Sequence, residues 1–223
     1  FGGAVNFENL AGTDRADTIN GDSANNFIWG NGGADTINGG AGNDTLYGAG
    51  DNSQNDSAND ILNGGAGNDT LVTGNGGDTL DGGTGADVIT TGSGSDTIIL
   101  RIGDGGSTLS DADTITDFAD GTDVLGMDDG LQYTDLTIAQ GTGDNANNTI
   151  ISAGSEYLAI LTGVSASNIN YMDFASMATE NQSFTGTNGD DVFIGAAGVD
   201  TVTTGTGSDV LVTWGGDDVI TID

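Results

Sequence analysis

Aspartates recur every nine residues between residues 64 and 99. Four successive units carry Asp69, Asp78, Asp87 and Asp96 at their sixth place, with glycine at the fourth place and leucine or isoleucine at the eighth. Glycine-rich turns adopt positive φ angles and expose main-chain carbonyl oxygens at close range. A carboxylate beside such carbonyls supplies hard oxygen ligands, of which Ca²⁺ takes about six to eight. The spacing therefore predicts calcium sites in a row of turns, each followed by a short strand with one inward apolar side chain.

The complete unit reads G-G-x-G-x-D-x-U-x, where U is a large apolar residue, as in Gly64–Val72 and Gly82–Thr90. One copy would be a weak signal, but the unit recurs in register. The sequence therefore resembles the RTX (repeats-in-toxin) family of secreted bacterial calcium-binding proteins. The resemblance implies an all-β fold, a right-handed parallel β-roll (a β-solenoid) with two units per coil. It also implies several Ca²⁺ ions between turns that stack on the same side.

The candidate calcium ligands are the sixth-place aspartates and the glycines of their turns. The sixth-place aspartates are Asp35, Asp44, Asp60, Asp69, Asp78, Asp87 and Asp96 in a first block, and Asp191, Asp200, Asp209 and Asp218 in a second. The turn glycines are Gly39, Gly40, Gly42, Gly64, Gly65, Gly67, Gly74, Gly76, Gly82, Gly83, Gly85, Gly92, Gly94, Gly189, Gly198, Gly207 and Gly216. The alternative is that Asp only forms turns, because it tolerates left-handed geometry. Repetition at a fixed offset from an inward apolar residue favours ligation.

Two early units depart from the pattern. Gly12–Asn20 has Arg15 at the fourth place, and Gly21–Trp29 has Ala24 and Asn26 at the fourth and sixth places. We expect these two turns to bind Ca²⁺ poorly or not at all. A later unit is seven residues too long, and we expect its extra residues, 51–57, to form a solvated loop rather than a further site.

The segment after the first block has a different texture. Asp113-Thr114-Ile115-Thr116-Asp117-Phe118, followed by Gly121-Thr122-Asp123, resembles the segment that follows the repeats in many RTX proteins. The resemblance implies that it closes the roll and that Asp113, Asp117 and Asp123 can help to hold Ca²⁺. Residues 131–174 predict strands that extend or cover the roll, and residues 168–177 a short helical turn. The predicted division is 1–112 (first roll with a lead-in strand), 113–180 (a post-repeat β segment) and 181–223 (a second, apparently truncated roll block).

The composition excludes several classes of function. The chain has a formal net charge of −32, only two basic residues, and neither Cys nor His. This charge argues against nucleic acid or an anionic membrane as partner, and the missing residues exclude zinc–thiolate sites and His-based catalysis. We find no enzyme signature and expect a non-catalytic protein. A core of one large apolar residue per nine is small for so glycine-rich a chain, so we expect folding to require metal.

Three functional hypotheses follow, of which the third is a calcium buffer. The first is a calcium-dependent structural module of a bacterial secreted or cell-surface protein, such as a surface-layer protein, adhesin or filament. The second is the non-catalytic region of a type I-secreted exoenzyme or toxin whose active domain lies elsewhere. Outward apolar residues, among them Phe27, Trp29 and Tyr47, predict either a cover formed by residues 131–174 or contacts with other copies of the chain or other cell-surface components.

Overall fold

The computed structural model describes residues 8–50 and 56–222. Most of the predicted lead-in strand (residues 1–7) and most of the predicted loop (51–55) lie outside the described residues. Each apolar triplet forms a strand, because its threonine, isoleucine and valine side chains suit an extended, half-buried backbone. The strands in chain order are β1 (Asn9–Ala11), β2 (Thr18–Asn20), β3 (Phe27–Asn31), β4 (Thr36–Ala41), β5 (Thr45–Ala49), β6 (Ile61–Ala66), β7 (Thr70–Gly76), β8 (Thr79–Thr84), β9 (Val88–Gly94), β10 (Thr97–Leu100), β11 (Asp113–Ile115), β12 (Val124–Met127), β13 (Leu136–Gln140), β14 (Thr149–Ala153), β15 (Glu156–Leu161), β16 (Phe174–Ser176), β17 (Ser183–Thr185), β18 (Val192–Ile194), β19 (Thr201–Thr203), β20 (Val210–Val212) and β21 (Val219–Thr221).

Successive units of the first block alternate between two parallel sheets. One sheet has nine strands in the order β1-β3-β5-β7-β9-β11-β15-β14-β13, and the other has seven in the order β16-β12-β10-β8-β6-β4-β2. A strand pairs in register with the strand two units later, so that Leu71 lies beside Ile89. Two units therefore make one coil, and the predicted parallel β-roll is confirmed.

The interior of the roll is a column of eighth-place side chains. These residues are fully buried, at 0 % exposure: Ile28, Ile37, Leu46, Leu62, Leu71, Leu80, Ile89 and Ile98. Burial of each contributes about 1.5–3 kcal/mol. Ile115 and Leu125 continue the column into the post-repeat segment, also at 0 % exposure.

The post-repeat segment extends both sheets. Strands β11 and β12 add a further coil to the roll in parallel register. Strand β15 pairs with β11, and β14 and β13 follow it as an antiparallel meander. Both sheets thus run through residue 112, and the first two predicted segments share one core. Short 3₁₀ turns connect the strands at Leu109–Asp111, Tyr133–Asp135, Gly143–Asn145 and Tyr171–Asp173, the last within the predicted helical turn.

The idea that residues 131–174 cover the outward apolar row is wrong. These residues lengthen the sheets at one end of the roll, because their strands pair edge to edge with β11 and β12. Phe27, Trp29 and Tyr47 on the outer face are half-buried, and within the described residues their rings pack against one another.

The second block forms two small parallel sheets, β17-β19-β21 and β18-β20. It packs on the main core through Ile194, and the rings of Phe184 and Phe193 stack with centroids 4.8 Å apart. Phe193 and Val202 are buried, as predicted for eighth-place residues, whereas Ile220 is 46 % exposed. The predicted inward apolar side chain of each unit is therefore not buried at Ile220, which lies in the last described coil, where no further described strand covers it. No helix in residues 8–50 and 56–222 is long and apolar enough to cross a membrane.

Candidate calcium sites

Sixth-place aspartates join each coil to the next. The main-chain N–H of Asp69 donates a 2.7 Å hydrogen bond to Oδ1 of Asp87. The opposite side of the roll repeats the bond between Asp60 and Asp78 at 2.8 Å, and Asp78 and Asp96 at 2.8 Å. The result is one carboxylate ladder along each edge of the roll, with one oxygen of each carboxylate fixed by the backbone of the preceding coil.

The second oxygen of these carboxylates has no donor. The atoms concerned are buried and without a hydrogen-bond partner among the described residues: Oδ2 of Asp35, Asp44, Asp69, Asp78, Asp87 and Asp96. A buried, unpaired carboxylate oxygen is costly. A cation at each of these oxygens removes the cost, so the residues present fit Ca²⁺.

Glycine is required where the coils touch. Gly67 has a φ angle of 131°, and a Cβ atom at this position would collide with the carbonyl oxygen of Gly42 in the preceding coil. A Cβ at Gly39 would meet Oδ2 of Asp44 and, at 2.6 Å, the carbonyl oxygen of Gly64. Main-chain oxygens and the free carboxylate oxygens thus approach one another only because side chains are missing.

Main-chain carbonyls must complete each site. Within the described parts of the chain, no three carboxylates converge as a metal-binding group. Each turn contributes one sixth-place aspartate, and Ca²⁺ accepts carbonyl oxygens and water beside carboxylates. The ladder therefore suits shared sites between neighbouring turns rather than a cage of acidic side chains.

The ladder carboxylates hold their protons unusually tightly. Burial raises the pKa of Asp60 and Asp87 to about 7 and that of Asp69 and Asp96 to about 6. Burial and the adjacent charge of Asp87 raise the pKa of Asp113 to about 9. A bound cation reverses this effect, because it favours the charged form.

Some predicted ligands have backbone partners for both oxygens. Asp117 accepts hydrogen bonds from the N–H groups of Thr91 and Gly92, at 2.9 and 2.8 Å. Asp123 accepts from Asp96 and Ala119, at 3.2 and 2.8 Å. These two carboxylates cap the adjacent turns, and calcium ligation by them stays a prediction.

The second block places its aspartates in the same ladder. Asp209 accepts from the N–H of Asp191 at 3.1 Å, and Asp218 accepts from that of Asp200 at 2.9 Å. The other oxygens of Asp191 and Asp200 accept from N–H groups of their own turns. The structure thus distinguishes them from the six carboxylates with a free oxygen.

Sequence reasoning missed a second ladder at the fifth place. The side-chain oxygen of Asn43 accepts from the N–H of Asn68 at 3.0 Å, and that of Asn25 accepts from Asn43 at 2.9 Å. The recurring Asn-Asp pairs of the first block were its signal. A turn with Asn at its fifth place, such as that of Asn43 and Asp44, is therefore bonded forward by the fifth side chain and backward by the sixth.

An ion-pair cluster at Arg101 was also missed. The Arg101 guanidinium donates from Nη1 to Oδ1 of Asp81 at 2.8 Å and from Nε to Oδ2 of Asp128 at 3.1 Å. Asp104 lies 3.5 Å from Nη1. Arg101 follows β10, Asp81 lies in β8 on one side, and Asp128 directly follows β12 on the other. The cluster clamps three strands where the nine-residue period ends, by ionic contacts that need no metal.

Parallel coils joined by aspartate ladders, with free carboxylate oxygens beside glycine turns, define a calcium-binding β-roll. The chain belongs to the family of the RTX calcium-binding nonapeptide repeat, whose model matches four copies at residues 11–46, 56–80, 72–106 and 185–220. These repeats bind Ca²⁺, and four copies indicate several ions. The family resemblance inferred from the sequence is thereby confirmed.

Solved structures show weaker similarity. The extracellular lipase LipA from Serratia marcescens shares 15% identity over 77% of this chain, with a TM-score of 0.38, and the chain spans 40% of the length of that lipase. The AlgE6R2 subunit of the Azotobacter vinelandii mannuronan C5-epimerase shares 24% identity, with coverage of 74% of this chain and 90% of the subunit and a TM-score of 0.37. The AlgE6R3 subunit of the same epimerase shares 23% identity, with coverage of 74% and 80% and a TM-score of 0.26. Comparison with curated protein sequences gave no match.

Proposed function

We propose that this chain is a structural module of a bacterial secreted or cell-surface protein, and that it folds when it meets calcium outside the cell. The observation that supports this most is the set of six buried Oδ2 atoms without a donor. A fold that buries charge in this way is unfavourable until a cation binds. The net charge of −32 adds repulsion that calcium relieves.

Calcium concentration then serves as the folding signal. Extracellular calcium modules bind with dissociation constants of about 10⁻⁴–10⁻³ M. Cytosolic calcium lies far below this range, so the chain stays largely unfolded before export. Circular dichroism in EDTA, and then in millimolar Ca²⁺, tests the proposal. The β signal is expected to form only with Ca²⁺, and an unchanged β spectrum in EDTA would overturn it.

We further propose that the module associates with other copies of itself. The support is the half-buried aromatic row on the outer face of the nine-stranded sheet, where the Phe27 and Trp29 rings lie 4.2 Å apart and Phe27 and Tyr47 5.4 Å apart. Soluble monomers rarely expose such clusters. X-ray scattering in millimolar Ca²⁺ is expected to show assemblies that shrink in Trp29→Ser but not in Trp214→Ser. A monomer under all these conditions would defeat self-association and leave the calcium module intact.

The chain itself is proposed to be non-catalytic. It has no His and no Cys, and the sixth-place aspartates are engaged in the ladders that join the coils. Any enzymatic or toxic activity of a larger parent protein would then reside in other residues. A catalytic activity in this chain would require a site outside the ladders.

A further inference from the structure

Ten turns of the two repeat blocks fall into two structural groups, and the turns of Asp60, Asp209 and Asp218 meet neither definition. In one group the sixth-place carboxylate has a buried oxygen without a donor, and we call these open turns. In the other group the N–H of the second residue of the turn donates to the side chain of the sixth, and we call these closed turns. Both kinds occur within the same ladders, so their difference is local to the turn.

Closed turns all share one hydrogen bond. The N–H of Thr13 donates to Oδ2 of Asp17 at 2.7 Å, and the N–H of Thr187 donates to Oδ2 of Asp191 at 2.7 Å. The remaining closed turns have the bonds Asp22 to Asn26 and Ala196 to Asp200, both at 2.8 Å. None of the four donor residues has a positive φ angle. The carboxylate, or the amide of Asn26, is thus satisfied by the turn itself.

Open turns all have a left-handed residue at the second place. These residues and their φ angles are Asn31 (76°), Gly40 (111°), Gly65 (104°), Gly74 (137°), Gly83 (86°) and Gly92 (87°). They belong, in the same order, to the turns of Asp35, Asp44, Asp69, Asp78, Asp87 and Asp96, the six residues whose Oδ2 has no partner. In each of these six turns, a positive φ angle at the second residue accompanies an Oδ2 atom without a donor at the sixth.

The backbone explains the correspondence. With the second residue left-handed, the strand continues through it, and Gly65 pairs with Gly83 as part of the sheet. Strands that run into open turns accordingly reach five to seven residues, whereas β2, β17 and β18, which precede closed turns, have three. The second N–H then follows the sheet instead of turning back to the carboxylate. A cation and an N–H are therefore alternative partners for the same oxygen.

We propose that the second residue of each turn decides whether that turn takes calcium. Open turns are calcium sites, and the four closed turns are held by their own N–H and take no ion. The inference rests on the proposed calcium-dependent function. It assigns Asp191 and Asp200 to metal-free turns, and it predicts that the turn of Asp209 takes calcium because its second residue, Gly205, has a φ angle of 76°.

The closed turns have a consequence for folding. Two of them begin the first block, at residues 12–17 and 21–26, and two begin the second block, at 186–191 and 195–200. Each block therefore starts with turns that close without metal. Calcium is needed for the six open turns of the first block, where the free carboxylates accumulate.

Reciprocal substitutions test the proposal. Thr187→Gly permits a left-handed second residue and places a new open turn next to the turn of Asp209, while Thr187→Ala keeps the turn closed. Asn31→Thr disfavours the left-handed conformation, because Thr is β-branched, while Asn31→Gly keeps it. Asn31 donates from Nδ2 to the carbonyl of Gly12 at 2.9 Å, and both variants lose that bond equally.

Calcium stoichiometry by titration calorimetry is the measurement, with circular dichroism in Ca²⁺ to confirm folding. Thr187→Gly is expected to bind about one ion more than Thr187→Ala, and Asn31→Thr about one fewer than Asn31→Gly. Equal stoichiometry within both pairs would overturn the inference. The gain in Thr187→Gly cannot arise from misfolding, so a failed Asn31→Thr variant leaves the test decisive. Absence of calcium binding in the unsubstituted chain would instead refute the proposed function.

Discussion

The main-chain N–H of Asp69 donates to Oδ1 of Asp87, 18 residues further along the chain, at 2.7 Å. The other oxygen of Asp87 is buried without a partner. One carboxylate therefore joins two coils with its first oxygen and offers its second to a cation. Because the two roles sit on different atoms, substitutions can separate the stability of the metal-free fold from calcium binding.

Asp87→Asn is expected to have opposite effects with and without calcium. Asparagine keeps an oxygen that can accept from Asp69 but removes the charge. In Ca²⁺ the variant loses about 1–3 kcal/mol of stability with its ligand. In EDTA it gains stability, since a buried unpaired charge is gone. Thermal unfolding in Ca²⁺ measures the loss, and the folded fraction in EDTA with a stabilising osmolyte, followed by circular dichroism, measures the gain.

Asp87→Ala and Asp22→Ala are the controls for that experiment. Asp87→Ala removes the acceptor as well as the charge, so it is expected to destabilise the fold in both buffers. Asp22 lies in a closed turn, so Asp22→Ala is expected to leave the calcium response almost unchanged. Equal loss of the calcium response in all variants would mean that the aspartates act only through bulk charge.

The metal-free protein is expected to lose stability as pH rises. Burial raises the pKa of Asp69 and Asp96 to about 6 and of Asp60 and Asp87 to about 7, from the ordinary value of 3.8. A carboxyl with a raised pKa in the fold stabilises the fold fully below pH 3.8, and this contribution disappears as pH passes the raised value. Unfolding of calcium-stripped protein between pH 4 and 8 measures the trend. Calcium affinity should rise over the same interval, because ligation displaces those protons. A metal-free fold that becomes more stable towards pH 8 would contradict the raised pKa values of these aspartates.

Asp117→Ala is expected to weaken the fold without removing a calcium ion. Both oxygens of Asp117 are used by the N–H groups of Thr91 and Gly92. A hydrogen bond to a charged acceptor contributes about 1.5–3 kcal/mol, and Asp117→Ala removes two of them. Denaturant titration and calcium calorimetry give the two quantities, with the exposed Asp144→Ala as control. A stoichiometry lower by one ion would instead make Asp117 a ligand.

The repeat pattern was sufficient to predict the roll, because the eighth-place residues and the turn glycines each have one structural use. Leu71 and Ile89 lie where the nine-residue spacing places them, stacked and fully buried. The spacing could not predict where residues 131–174 lie, because their short apolar runs suit an added strand as well as a covering one. Edge pairing to β11 decided between the two.

Prediction of the site was less complete for a physical reason. Asp87 and Asp191 occupy the same place of the unit, yet only Asp87 has a free buried oxygen. The difference comes from the backbone at the second place, glycine for Asp87 and threonine for Asp191. A pattern that counts aspartates gives both the same role. The sequence did not predict the Arg101 cluster for another reason: Arg101 and its partners are separated by up to 27 residues along the chain.

Trp29 is expected to report calcium-dependent folding by its fluorescence. Its ring lies 4.2 Å from that of Phe27 and stacks on Tyr47 at 6.4 Å, so its environment exists only when β3 and β5 are paired. Trp214, the other tryptophan, is 53 % exposed. Calcium should therefore shift the emission of Trp214→Phe, which keeps Trp29, much more than that of Trp29→Phe. Because β3 follows the closed turn of Asn26 while β5 follows the open turn of Asp44, the shift should follow the calcium titration of the first block. A shift of equal size in both variants, or one already present in EDTA, would mean that β3 and β5 pair without the ion and that calcium acts elsewhere in the roll.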